Sequence, residues 1–583
     1  MKQPAVSLKI QGKQEAMYDL LIVNVHRQYD ALPYLAGDWL GIYQLSAFLE
    51  ENGYPAKAFA GYAHEADDLL ENEIDSGVKI IGFSCDYENQ QEVIQLCRKV
   101  KDQWGLPVIV GGPQAVALGE DFLIKSCADA IVRGEGELAA LELMHFFIDR
   151  TGKIEDILGI TFLKDGICVN NPDQPLIKNL DSLPFPKPHH NIGTWFRRNS
   201  AAFITGRGCP FNCSFCYEGG NMRGVRWRSI ENVMTELKEV LDSRPDIKYV
   251  LFTDDTFTLN HRRLRSFVEA LSDYRKKRDF GWFAEAHVMT LLRHPELVSE
   301  MVEAGLLTLQ IGVESGNDSV LKAYNKKIST KDIEDAVILC KNSGVPHVVA
   351  NIIVGGALET EKTIKESISF GKSIIEAGAG MMELHAINFW PLPGTAMTKR
   401  PHDFGIEILD PDSLTSTTDY PVVRCDTLEP EHLCEYRLRM EGKFKKKMEV
   451  TASQLSFDRA LMHFQMAYKY NSPTQWYYIL NKIDRYRMYC SLYINGAIRK
   501  YEQIPEKDRP LWRPIRTCPP NIKNGFNYAG DIEVDSEQFS VLLSGTGKMT
   551  ILEASEYCKL SMEKFIEIAL TLESFMAMGF CRY

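Results

Sequence analysis

Three cysteines crowd into the fifteen-residue run GRGCPFNCSFCYEGG (206–220), and that run constrains the chain more than any other. Cys209, Cys213 and Cys216 stand at C-x3-C-x2-C spacing. Within one tight loop, three thiolates at this spacing can each hold one iron of a cubic 4Fe-4S cluster, because soft sulfur ligands select iron–sulfur centres or zinc. The fourth iron then has no protein ligand and is open to chelation by a small molecule. Gly206, Gly208 and Pro210 let the backbone bend around such a cluster. A structural zinc site would be closed by a fourth Cys or His at finger or ribbon spacing, and the next histidine downstream is His261, far outside such a pattern. The expectation is an iron–sulfur cluster with one free corner, with zinc as the weaker alternative.

At 583 residues the chain has room for several domains and for sizeable cores. Its 45% hydrophobic and 25% charged content are those of an ordinary globular protein. A formal net charge of −12 argues against a nucleic-acid partner, since phosphate contacts need a basic surface. The other cysteines are scattered singly, unlike a disulfide framework, which points to a reducing compartment. The N-terminus lacks the apolar core of a secretory signal, and no run reaches the roughly 18 apolar residues of a membrane span. The expectation is a cytoplasmic protein with no membrane partner.

Residues 1–150 read as a doubly wound, Rossmann-like α/β domain. Strand-length apolar runs at 18–25, 78–84, 106–110 and 128–132 alternate with helical stretches such as 39–53 and 90–104. That alternation predicts a parallel sheet covered on both faces, with ligands beyond the carboxyl ends of the strands. The loops at those ends contain Ser84, Cys85, Asp86, Tyr87 and Glu88, then Gly111, Gly112 and Pro113, then Gly134, Glu135, Gly136 and Glu137. The last two are glycine-rich and permit a flat ligand to approach the backbone, although tight turns alone also account for them.

Residues 151–196 hold a small strand pair, GITFLKDGICVN, and the proline-rich LPFPKPHH, together taken as a linker. From 197 to 400, strand-like runs at 201–205, 249–253, 282–286, 307–313, 347–354 and 382–389 alternate with helices, the pattern of a partial (β/α)6 barrel. The cysteine loop falls at the carboxyl end of the first of these strands. Asp254 and Asp255, Glu285 with His287, and Glu314 with Ser315 fall at that same face. Adjacent carboxylates suit an ammonium or sugar hydroxyls, and a strand-end glutamate suits a ribose diol. A helix cap for Asp255 and a helix-terminal charge for Glu314 are the plainer alternatives. Residues 401–530 read as a mostly helical region whose aromatic stripe QWYYILNKIDRYRMYCSLY packs on the barrel, and 531–583 as a small winged-helix-like module.

The cysteine spacing, with Phe215 between the last two cysteines and Tyr217 after them, resembles the signature of the radical S-adenosylmethionine (SAM) superfamily. The loops GG-P and GEGE, and the segments FTDDTFT, GVESGNDSVLKAYNK, IIVGGALET and PLPGT, resemble its cobalamin-dependent members. The resemblance implies that the open iron chelates SAM, with Phe215 and Tyr217 flanking the adenine and Glu314 meeting the ribose. Asp254 or Asp255 would meet its polar end, with Glu285 and Ser315 in the same site. It also implies that the loops of Ser84, Tyr87 and Glu88, Gly111 to Pro113, and Gly134 to Glu137 line a cobalamin. The D-x-H-x-x-G motif that supplies a histidine to cobalt is missing after the first strand, where His26 to Asp30 read HRQYD, and His190 with Gly193 lack the aspartate. Base-off cobalamin with no histidine beneath it is therefore expected.

The implied reaction is methyl transfer from SAM through methylcobalamin to an unactivated carbon of a peptide or amino-acid-derived substrate. A reductase such as flavodoxin or ferredoxin would supply electrons. The same scaffold supports rearrangement or cyclisation. A methylthiotransferase would need a second cluster, for which Cys85, Cys97 and Cys127 are poor candidates because Cys97 falls in an apolar helical stripe. A corrinoid- and cluster-binding sensor is the alternative from outside enzymology.

Overall fold

The computed structural model describes residues 18–26, 40–187, 200–217, 224–409, 420–425 and 428–582. They fall into two compact units, divided near residue 196.

In the first unit the strands are β1 (Leu20–His26), β2 (Ala56–Tyr62), β3 (Ile80–Ser84), β4 (Val108–Gly111) and β5 (Ala130–Val132), ordered β2-β1-β3-β4-β5 and all parallel. Side chains of β1 alternate between two cores. Leu21, Val23 and Val25 meet Val93, Cys97 and Val100 on one face, whereas Leu20 and Ile22 meet Ile42, Tyr43 and Leu143 on the other. Helices thus cover both faces, which is why these strands read as unbroken apolar runs. The strand order reverses between β1 and β3, and in doubly wound sheets ligands bind at the carboxyl ends beside such a reversal.

One expectation needs correction, and one strand is new. The strand pair assigned to the linker, β6 (Ile160–Lys164) and β7 (Ile167–Asn170), is an antiparallel extension of the first sheet, with β6 paired to β5. β2 was not foreseen, because its small-residue sequence AKAFAGY carries little hydrophobic signal. His190 and Gly193, beyond the proline-rich stretch's described residues, lie outside the described part of the chain.

The second unit is built on six parallel strands: β8 (Ser200–Phe203), β11 (Tyr249–Phe252), β12 (Gly281–Ala286), β13 (Leu306–Ile311), β14 (His347–Val354) and β15 (Met382–Asn388). Their order, β15-β14-β13-β12-β11-β8, is the expected partial barrel. A short antiparallel pair, β9 (Gly206–Arg207) with β10 (Arg226–Trp227), brackets the cysteine loop. Ser229 caps the helix Ile230–Ser243 by accepting the Asn232 N–H, as its sequence predicts.

The helices after residue 430 pack on this barrel. Buried Trp476 donates its ring N–H to the Met382 carbonyl (3.2 Å), and His463 Nε2 meets the Gly380 carbonyl (2.7 Å). The terminal module begins earlier than residue 531. Strand Trp512–Arg516 pairs with the last strand Met578–Arg582, and Ile504 and Trp512 share a core with Phe565 and Leu572 of the final helix. The capping box of Thr550 with Glu553 and the Ser561 cap form as expected.

Candidate active site

The cysteine loop leaves β8 and is held from several sides. Asp254, fully buried, accepts the backbone N–H groups of Thr205 (2.6 Å) and Gly206 (3.1 Å) and the Thr205 hydroxyl. One of the two carboxylates expected to meet the polar end of SAM is thus already committed to the turn that launches the loop. Asp255 is the freer of the two; burial raises its pKa, opposed by the Gly208 N–H.

Further along, the Ser214 N–H donates to the Tyr324 carbonyl (2.9 Å) and its hydroxyl to the Ala323 carbonyl (2.9 Å). The Asn325 amide donates to the Asn212 carbonyl (2.7 Å). Phe211 stacks on His287 with ring centres 3.9 Å apart, and Phe215 sits edge-on to Tyr324 at 5.1 Å. His287 Nδ1 accepts the Met289 N–H (3.2 Å), so its proton is on Nε2, directed at the Lys326 carbonyl (3.3 Å). Burial lowers the His287 pKa to about 4, which keeps the ring neutral. The segment Ala323–Lys326 is therefore the cradle of the cysteine loop.

Lys326 was not foreseen. Its ammonium lies 2.8 Å from Glu314 Oε1 and 5.8 Å from the Phe215 ring centre. Burial pulls its pKa down, but Glu314, Cys213 and Cys216 outweigh burial and the net shift is upward, so the lysine stays charged. Gly312 makes room for it: a Cβ there would stand 2.1 Å from Lys326 Nζ. The sequence signal lay in the pairing of GVES with the AYNK segment twelve residues on.

Glu314 adopts a left-handed backbone (φ 61°), a strained conformation for a non-glycine residue. It is held there because its N–H donates to the Asn351 carbonyl and its carbonyl accepts from Ile353, both at 2.9 Å. Ser315 is buried, and its hydroxyl meets the Ser367 hydroxyl (3.3 Å) and accepts the Asn317 N–H (3.2 Å), which makes it a loop-ordering residue. The Glu285 carboxyl has no hydrogen-bond partner among the described residues. Burial first, then Asp255, push its pKa up to about 7, against the pull of Lys326. Tyr217 is half-buried at the end of the loop.

All three loop cysteines are free thiols. Among the described residues no three His, Cys, Asp or Glu side chains converge on a single metal ion. A cubic cluster asks for something different, one thiolate on each of three irons. Cys213 is held up in pKa by burial and drawn down by Lys326. Three soft thiols beside a fixed ammonium fit an anionic cluster, because the lysine offsets charge that the protein interior would otherwise penalise.

In the first unit, the loops after β3, β4 and β5 lie at the carboxyl ends of adjacent strands. Gly112 (φ 101°) is required by packing, since a Cβ would come within 2.3 Å of the Cys85 carbonyl oxygen. Gly111 and Gly134 face open space instead. Glu135 is buried and accepts the Ile177 N–H (2.7 Å), so it ties down the segment after β7. Glu137 is also buried. Asp86, and Asn89 just beyond the loop named from the sequence, order the Tyr87–Glu88 turn: Asp86 Oδ1 accepts the Glu88 N–H (2.9 Å), and the Asn89 amide donates to the Val25 and Ser84 carbonyls (3.0 Å each). Beside Ser84 in the sheet, Asn24 is fully buried, and among the described residues neither of its amide atoms is hydrogen-bonded. A corrinoid, rimmed by carboxamides, fits both the open glycine backbone and an orphaned amide.

Residues 203–371 match the radical SAM superfamily, and residues 33–144 match the B12 binding domain. An uncharacterized methyltransferase of Pyrococcus horikoshii is 30% identical over 350 residues, spanning 58% of this chain and 74% of that protein. The chain belongs to the cobalamin-binding radical SAM family. An anaerobic magnesium-protoporphyrin IX monomethyl ester cyclase of Rubrivivax gelatinosus is 27% identical over 365 residues, covering 58% of this radical SAM protein and 63% of the cyclase. The structure of OxsB with aqua-cobalamin and SAM bound superposes with a TM-score of 0.60 at 16% identity, covering 83% of this chain and 76% of OxsB, a likeness of fold. The cofactors of this radical SAM protein are a 4Fe-4S cluster, SAM and cobalamin. Among its described residues no helix is long and apolar enough to cross a membrane.

Proposed function

We propose that the chain is a methyltransferase that moves a methyl group from SAM, by way of cobalamin, to an unactivated carbon of a peptide or amino-acid-derived small molecule. The observation that carries this reading is one chain combining a corrinoid-type sheet with a three-cysteine loop cradled by a buried lysine and carboxylate. When bound, the cluster and SAM supply a 5′-deoxyadenosyl radical that removes a hydrogen atom, and cobalamin carries the methyl group.

The protein's part is to hold and orient. Cys209, Cys213 and Cys216 would ligate three irons of the cluster and leave the fourth open to SAM. Lys326 offsets the negative charge of the thiolates. Glu314, fixed on its strained backbone, keeps Oε2 for ribose hydroxyls while Oε1 stays with Lys326. Asp255 meets the ammonium end, and Phe215 and Tyr217 flank the adenine. Ser84, Tyr87, Glu88, Gly111, Gly112, Pro113 and the Gly134–Glu137 loop hold cobalamin, with the Asn24 amide meeting its rim. A cobalamin held by these loops would be base-off without a histidine from this chain, and its cob(II)alamin form would then lack nitrogen splitting in its paramagnetic resonance spectrum. A flavodoxin or ferredoxin supplies electrons; nucleic acid and membrane are not partners.

The test is anaerobic turnover of reconstituted enzyme with methyl-labelled SAM. Label in the product supports the reading, whereas 5′-deoxyadenosine formed alongside an unlabelled product removes it. The second outcome would favour a cyclisation or rearrangement, a reading that the similarity to the Rubrivivax gelatinosus cyclase keeps in view.

A further inference from the structure

Inside the six-stranded barrel lies a cavity of about 170 Å³. For scale, an engineered apolar cavity of about 150 Å³ holds one benzene. The space therefore suits a single ring or a short chain, far less than a whole macrocycle or peptide.

The walls are largely apolar, from Leu251, Phe283 and Val349. The floor is polar but closed to a ligand, because its groups already satisfy one another. Glu383 Oε2 accepts from His347 Nε2 (3.0 Å) and the Gln475 N–H (2.8 Å), its Oε1 pairs with His385 Nε2 (2.8 Å), and His347 Nδ1 meets the Thr308 hydroxyl (3.2 Å).

The other end of the cavity is different. Glu285 and Gln310 are register partners on β12 and β13, and both line the cavity. Neither side chain has a hydrogen-bond partner among the described residues, so a carboxyl and a carboxamide stand side by side over apolar walls. Among the described residues no Lys or Arg lines the cavity. The largest charges acting on Glu285 among the described residues are the carboxylates of Asp255, Asp254 and Glu314 against the ammonium of Lys326. This surplus of negative charge favours a cation and disfavours an anion.

We propose that this cavity is a substrate-specificity pocket: it takes one ring or short chain of the substrate that ends in a protonated amine, which Glu285 and Gln310 bind together, and it rejects arms ending in carboxylate or phosphate. The assignment rests on the barrel being the reaction chamber of the enzyme proposed above, and it names the substrate class rather than the reaction.

Three fragments of one size and different charge test it: benzylamine, benzyl alcohol and benzoate, titrated into reconstituted holoenzyme by calorimetry or ligand-observed NMR. Benzylamine is expected to bind at least about tenfold more tightly than benzoate, a difference near 1.4 kcal/mol. Glu285→Gln should weaken benzylamine about fivefold or more and leave benzyl alcohol within about twofold. Gln310→Leu should weaken both. Iron–sulfur and corrin absorbance report that each variant is folded and loaded, and Thr253→Val serves as a second cavity-lining variant if one of them is not.

Benzoate binding as well as benzylamine, no measurable binding of any fragment at millimolar concentration, or unchanged selectivity in Glu285→Gln would each overturn the pocket. Fragment selectivity without transfer of labelled methyl would remove the methyltransferase reading alone.

Discussion

At the floor of the barrel, Glu383 is almost wholly buried, yet it is bracketed by His347, His385 and a backbone N–H. At the opposite end, the half-buried Glu285 carboxyl has no hydrogen-bond partner among the described residues, and Glu314 leans on Lys326 from a left-handed backbone. Both ends place carboxylates in a low-dielectric interior, where an unpaired charge is costly. The floor answers that cost with a closed network and so contributes stability. The rim leaves it unanswered, which is the arrangement expected where ligands complete the bonding.

The contrast can be broken most severely at the cysteine loop. Replacing Cys216 by alanine should abolish iron–sulfur absorbance and SAM cleavage together, while corrin binding by the first unit persists; retained cluster absorbance would show that the trio is not the ligand set.

Next in size is Lys326→Met. It strands Glu314 as a buried unpaired charge and should destabilise the second unit by about 3–5 kcal/mol, read as a fall in chemical-denaturation midpoint. Little change would mean that the rim is more open to water than its burial implies.

At the floor, His385 has its pKa raised to about 10; burial opposes that shift, and its bonds to Glu383 and Glu441 overcome it. A raised histidine stabilises fully below its unfolded value of about 6.5 and loses that contribution as pH climbs through the folded value. Melting temperature should therefore fall between about pH 6.5 and 10, and His385→Gln should flatten that slope while costing about 1.5–3 kcal/mol at neutral pH.

The smallest effect has the opposite sign. Glu285 titrates near 7 when folded, against about 4.3 when unfolded, so its ionisation drains stability as pH rises across that window. Glu285→Gln should raise stability by roughly 1 kcal/mol at about pH 8 and by almost nothing at about pH 4, in protein without SAM or substrate. An equal gain at both would show that charge is not the cause.

Much of this architecture was legible beforehand. The buried strands of both sheets announce themselves as apolar runs, and β14 falls where its sequence HVVANIIV puts it. The cysteine trio and the strand-end carboxylates were also readable, because their chemistry is local. What escaped was made by distant residues. β2 is built from small side chains, so only its neighbours bury it. Asp254 looks like a ligand until Thr205 and Gly206 are seen to occupy it. Lys326 and the His287–Phe211 stack come together only when three loops meet. The floor network joins residues from β14, β15 and the helices beyond 430, a set of pairings that no spacing rule encodes.

The Gln475 N–H and Trp476 ring reach back to Glu383 and Met382, across more than ninety positions of chain. During synthesis the last strand of the barrel emerges well before the segment that seals its base. Until that segment arrives, a nascent or truncated polypeptide ending near residue 400 exposes an incomplete charge cluster, and such fragments should be prone to aggregation and proteolysis even though every strand is present.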